Sequence, residues 1–162
     1  MAKQILDEKQ WKLSILSAIV DSGIKKVSSR EGMKRTVETS PYYKGWLDTV
    51  SDDLEEAKIA IKERDFERLG EVMESNALKM HATMLGARPP ILYWTSGTVE
   101  VMNCITELRR TGIPVYFTID AGANVKVLCL PEHEETIIKA LTELKGVLQV
   151  IACYPGQGVS YI

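Results

Sequence analysis

The chain has 162 residues, 45% of them apolar, with 20 Lys+Arg set against 22 Asp+Glu for a formal net charge of −2. That length supports a core within one domain spanning 1–162, and the slightly acidic balance argues against nucleic acid as a partner, since neutralising phosphates takes clustered cations. The longest strongly apolar run, 15–20, is far too short to cross a bilayer, and residues 1–8 show no cationic stretch leading into an apolar one, so the expectation is a cytoplasmic protein with no membrane partner.

Residues 11–20 alternate around Leu13 and Ile15 and end in β-branched side chains, which predicts a strand. Ser28-Ser-Arg-Glu31 has the spacing of a capping box and opens a helix through about Thr39. Ser40-Pro41 reads as an N-cap followed by proline at the first helical position. The helix it starts carries the stripe Leu47, Val50, Leu54, Ala57 and Ile61, expected to face the core. Asp65 can cap a third helix bearing Leu69, Met73, Ala77, Met80 and Met84, whose methionines read as core, with Pro89-Pro90 beyond its end. Ser96 opens a fourth helix with Val101, Ile105 and Leu108, closed by Gly112.

Two strands follow, about 114–119 and 124–130, joined by Asp120-Ala-Gly-Ala123. Pro131 starts a helix with Ile137, Leu141 and Leu144 in line, which Gly146 ends. Val147–Cys153 is a last strand and 154–158 a loop. Setting the inserted helices aside, the order is β-α-β-β-α-β. The expected fold is therefore α+β, a ferredoxin-like split β-α-β antiparallel sheet with several inserted helices on one face. Three widely spaced cysteines, Cys104, Cys129 and Cys153, read as small buried hydrophobes and not as a disulfide frame or a zinc site.

The chemistry-bearing positions are few. Asp120 stands at the end of an alternating strand beside small residues that let another molecule approach the backbone. This suits a catalytic or ligand-orienting acid, and equally an ordinary hairpin turn. Lys25-Lys-Val-Ser-Ser-Arg30 puts three cations at a helix N-terminus, fit for a diphosphate or carboxylate or simply a basic turn with its cap. His81 has no second ligand at metal spacing and reads as a packed or hydrogen-bonded residue. His133 reads as a solvated residue at a helix start. Arg88-Pro-Pro-Ile-Leu-Tyr-Trp94 could line a cleft or only anchor a loop. The sequence holds no phosphate loop, no dinucleotide fingerprint and no Ser-His-Asp or Cys-His set.

Lys25–Met33, Trp46-Leu-Asp48, Arg68–Val72, Asn76–Thr83, Pro89-Pro90 and Tyr116–Val127 together, in order over nearly the whole chain, resemble the C-terminal half of the bacterial diphosphomevalonate decarboxylases of the GHMP kinase superfamily. The resemblance implies a carbon–carbon lyase of the mevalonate pathway. It would convert mevalonate 5-diphosphate to isopentenyl diphosphate, phosphate and carbon dioxide with ATP and Mg²⁺. Asp120 matches the catalytic aspartate, and Ser29 and Arg30 the substrate-contacting pair. No metal ligand and no cofactor-binding residue is expected in this half. Ala123 stands where the family usually has proline. The N-terminal half, with its phosphate loop, would come in cis or in trans; alone this domain is expected to be inactive, and a homodimer is expected. A related mevalonate kinase or phosphomevalonate decarboxylase, or a non-catalytic ferredoxin-like module for an anion or a protein, are the competing expectations.

Overall fold

The computed structural model describes residues 4–157, so Gly158 of the expected terminal loop lies outside them. Alternation decides which way each strand faces. In β1 (Ser14–Ile19), Ser14, Leu16 and Ala18 are buried, while the intervening residues turn to the other face. β2 (Val115–Thr118) and β3 (Val125–Cys129) form the expected hairpin, and β4 (Gln149–Cys153) returns beside β1. The sheet order is β2-β3-β1-β4 with every pair antiparallel, which is the split β-α-β arrangement.

Five helices complete the fold. α1 is Ser29–Thr39, α2 Tyr43–Glu63, α3 Phe66–Leu85, α4 Ser96–Arg110 and α5 Glu134–Thr142, the last preceded by a 3-10 turn at Pro131–His133. Val101 and Ile105 of α4 and Ile137 and Leu141 of α5 close on Leu16, Ala18, Val115, Phe117, Val125 and Val127 to make the main core. Residues of the opposite sheet face, Tyr116 and Leu128, pack instead against Phe66, Leu69 and Met73 of α3. The α1–α3 insertion therefore covers the β2–β3 half of the second face, and leaves Ile15 and Ile151 on the β1–β4 half exposed.

The caps hold with three corrections. Ser28 Oγ accepts from the Glu31 amide at 3.2 Å, but Glu31 does not return the bond, because its carboxylate pairs with Arg35 one turn on. Ser40 and Pro41 lie in a turn ahead of α2, whose N-cap is Tyr42, so the proline sits before the first helical position. The helix at Pro131 begins as a single 3-10 turn, becomes α-helical only at Glu134 and ends at Thr142, short of both Leu144 and the expected stop at Gly146.

The stripe of α2 is a fourth difference: Leu47 and Leu54 are exposed, and only Ala60 of this helix is fully buried. A set of polar bonds ties α2 to α3. Asp53 accepts from Asn76 at 2.7 Å and from Lys79 at 2.5 Å. Burial raises the Asp53 pKa, but the hydrogen bonds from Lys79 and Asn76 outweigh it and hold the carboxyl below its usual range. The cysteines divide as well. Cys129 is buried, and burial pushes its thiol up to about 12, whereas Cys153 is exposed, contrary to the expectation for all three.

Candidate functional site around Asp120

The site begins where the hairpin ladder stops. The last β2–β3 pair is Thr118 with Lys126, and Asp120 lies two residues beyond it in a tight turn closed by a 2.7 Å bond from the Gly122 amide to its own carbonyl. Its side chain is 79% exposed and pairs with Lys126 at 2.6 Å.

Around the turn, other elements supply the partners the ladder no longer provides. His81 of α3 is buried beneath it, its Nε2 3.2 Å from the Ile119 carbonyl and its ring 4.9 Å from that of Trp94. Thr98 donates to the Ala123 carbonyl at 2.7 Å, while its oxygen accepts the Thr95 amide in the cap of α4. Asn124 accepts from the Val20 and Asp21 amides, joining the turn to the end of β1. Lys25 donates to the Ala121 carbonyl.

Asp120 and Ala121 form one wall of a cavity of about 450 Å³ between the turn, α1, α2 and α3. α1 presents Ser29, Met33, Thr36 and Val37 to it, spaced for one helical face. Lys25 and Ser29 belong to the same lining as Asp120, so the N-terminus of α1 and the hairpin turn open onto one space. Arg30, one residue on, turns away: it is exposed and forms no part of the lining. The remaining walls are mostly apolar, from Tyr43, Trp46, Met80 and Met84. Thr36 Oγ1 and Trp46 Nε1 are buried on these walls with no protein hydrogen-bond partner. Met80 also lines a second hollow of about 380 Å³ between α2 and α3, together with Met73 and again Asp120. The methionine run is core as expected, with Met84 buried and Met73 and Met80 packed against core clusters, and the same side chains also line these cavities.

Several of these positions carry no plain signal in the sequence. Thr98 hides in a helix cap, Asn124 looks like ordinary turn chemistry, and Lys126 is an alternating strand residue. Only the pairing Thr118↔Lys126 shows that its side chain shares a face and an end with Asp120. Asn76, in a segment singled out from the sequence, bonds Asp53 across the helix–helix contact and lines the second hollow with it.

A sequence profile of the mevalonate 5-diphosphate decarboxylase C-terminal domain matches residues 15–156. The chain belongs to that family.

Among proteins similar to it, the diphosphomevalonate decarboxylase of Saccharomyces cerevisiae is 34% identical over 152 residues, 90% of this chain and 38% of that protein. The solved mevalonate diphosphate decarboxylase of Staphylococcus aureus is 43% identical with a TM-score of 0.83, covering 90% of this chain and 44% of the other. A structure of MDDEF in complex with MVAPP, AMPPCP and magnesium is 48% identical, also with a TM-score of 0.83, over 90% of this chain and 45% of that one. The chain thus spans less than half the length of these relatives.

No glycine-rich loop precedes α1, and the Gly122 amide is spent inside its own turn. Among the described residues, no group of three or more His, Cys, Asp or Glu side chains converges to hold a cation. Nor is any described helix long and apolar enough to cross a membrane.

Proposed function

We propose that this chain is the C-terminal part of an ATP-dependent decarboxylase that converts mevalonate 5-diphosphate to isopentenyl diphosphate, phosphate and carbon dioxide. Membership of the decarboxylase family supports the reaction class. The observation that carries the residue assignment is the shared cavity: a helix N-terminus with Ser29 and Lys25 at one side, the Asp120 turn at the other.

In this reading the diphosphate binds at the N-terminus of α1, where free amides and the helix dipole favour anions, with Lys25 and Ser29 beside it. Arg30 is exposed one residue on and closes over the diphosphate from the rim, a bidentate contact that its position outside the lining leaves to the bound state. The six-carbon body then lies toward Asp120, whose carboxylate accepts the hydrogen bond of the tertiary hydroxyl and stabilises positive charge as the oxygen departs. Thr36 Oγ1 and Trp46 Nε1 offer further polar contacts on the same walls.

ATP and Mg²⁺ belong to the remainder of the enzyme, an N-terminal half in cis or in trans that spans the length by which the relatives exceed this chain. The exposed apolar side chains of Met33, Val37 and Leu54, which rim the two cavities, suit contact with that half. The domain alone is inactive in this reading, and the assembled enzyme is a cytoplasmic homodimer.

The test is a thermal-shift series on this chain with mevalonate 5-diphosphate, mevalonate and inorganic diphosphate. At a hundredfold excess over Kd the true ligand adds about 2.7 kcal/mol of stability. Stabilisation by mevalonate 5-diphosphate beyond that given by inorganic diphosphate is the expected result. Equal response to every anion would leave only an anion-binding module.

A further inference from the structure

The peptide plane between Ile119 and Asp120 restricts the direction that the Asp120 side chain can take. A planar peptide fixes the Ile119 carbonyl and the Asp120 amide together, so whatever holds that carbonyl also restricts how the Asp120 Cα–Cβ bond can point. In the structure the holder is His81 Nε2, at 3.2 Å. A carbonyl oxygen only accepts, so this nitrogen carries the proton.

Lys126 pairs with the carboxylate itself, and the other supports from outside the turn act further along the chain, at Ala121, Ala123 and Asn124. Lys25, the support at Ala121, is an exposed flexible side chain. His81 is different in kind: 3% exposed, on the rigid α3, and packed on the Trp94 ring. An apolar ring would pack there without the cost of burying two polar nitrogens. The imidazole is therefore there for its hydrogen bond.

We propose that His81 is the positioning residue of Asp120, a neutral buried donor that holds the Ile119–Asp120 peptide so that the carboxylate faces the cavity. This rests on the reading that Asp120 meets the tertiary hydroxyl of the substrate. His81 touches neither substrate nor reacting atoms. Desolvation by burial lowers the imidazole pKa and so favours the neutral ring with its one proton on Nε2.

Two variants of this chain separate positioning from packing. His81→Phe keeps the ring against Trp94 and loses the donor; His81→Gln keeps a donor at similar reach. Amide exchange at Gly122, which bonds the Asp120 carbonyl, is expected to rise about tenfold in the Phe variant and to stay unchanged in the Gln variant, as loss of one net hydrogen bond implies. Exchange at the buried strand residue Val127 stays the same in both. With carboxyl-labelled aspartate, mevalonate 5-diphosphate should displace the Asp120 resonance in the unmodified chain and the Gln variant but not in the Phe variant, which still binds through its diphosphate. Unchanged Gly122 exchange in the Phe variant overturns the proposal, as does loosening that extends to Val127. If the unmodified chain shows no substrate response at Asp120, the functional reading fails, and the Gly122 exchange still decides the positioning role.

Discussion

Lys126 Nζ lies 2.6 Å from Asp120 Oδ2, a contact made across the open end of the β2–β3 hairpin, where Lys126 is the last paired residue and Asp120 the second unpaired one. With the carboxylate side chain 79% exposed, the pair has little value for folding. Its use is to hold the carboxylate on one side of the turn. Lys126→Met should therefore change the urea-derived stability by less than about 1 kcal/mol. In a two-domain enzyme carrying this domain, the same variant should lower kcat about tenfold, because a mobile carboxylate spends less time aligned. Paired denaturation and steady-state measurements check it; a large loss of stability with normal turnover would reverse the assignment.

Asp120→Asn tests the carboxylate itself. The amide keeps the size and can still accept a hydrogen bond, but it carries no charge to stabilise the departure of the oxygen. In such a two-domain enzyme kcat should fall by about 10²–10⁴-fold, while the Kd for mevalonate 5-diphosphate, set at the α1 end of the cavity, changes little. Loss of binding in step with loss of rate would mean Asp120 contributes equally before and at the transition state.

The ferredoxin-like order was legible because hydrophobic alternation and capping residues are local signals, and every predicted strand and helix has its counterpart. What was not legible depended on partners distant in sequence. The α2 stripe looked like core because periodicity records which residues share a face, not what lies opposite, and Leu47 and Leu54 face outward. Asp120 could be singled out as an acid beside a small-residue turn. Nothing local, however, told that its neighbours' carbonyls are held by Lys25, His81 and Thr98, between 25 and 96 positions away. Ser29 and Arg30 look equivalent in the sequence, and only the rotation of α1 separates the one that lines the cavity from the one that does not.

Gly70 measures how closely α3 rides over the hairpin. A Cβ there would fall less than 3.0 Å from three ring carbons of Tyr116. That ring is confined by Phe66 at 5.9 Å and by the Arg109 guanidinium at 4.5 Å, so it cannot easily yield. Arg109 is itself held by the Glu74 carboxylate at 2.9 Å. Gly70→Ala should destabilise the chain by about 1–3 kcal/mol or more, despite the better helix propensity of alanine. A urea titration decides it, and a neutral or stabilised variant would mean that α3 can shift on the sheet.

His81 gives the chain a pH dependence of its own. Burial holds its folded-state pKa below the ordinary 6.5, against weaker opposing effects from the Ile119 and Asp120 carbonyls and the Asp120 charge. Between the two values the unfolded chain binds the proton more readily than the folded one, so stability falls as pH drops. The contribution is fully present above pH 6.5, declines as the pH falls toward the folded-state value, and levels off below it. Asp53, whose pKa is also lowered, acts in a separate window: its contribution persists above 3.8 and is lost only in stronger acid. Urea midpoints collected from pH 7.5 to 5 should thus slope downward in the unmodified chain and lose that component in His81→Phe. An identical slope in both proteins would mean that the imidazole is solvated when the chain is folded, and would remove the buried neutral donor beneath Asp120.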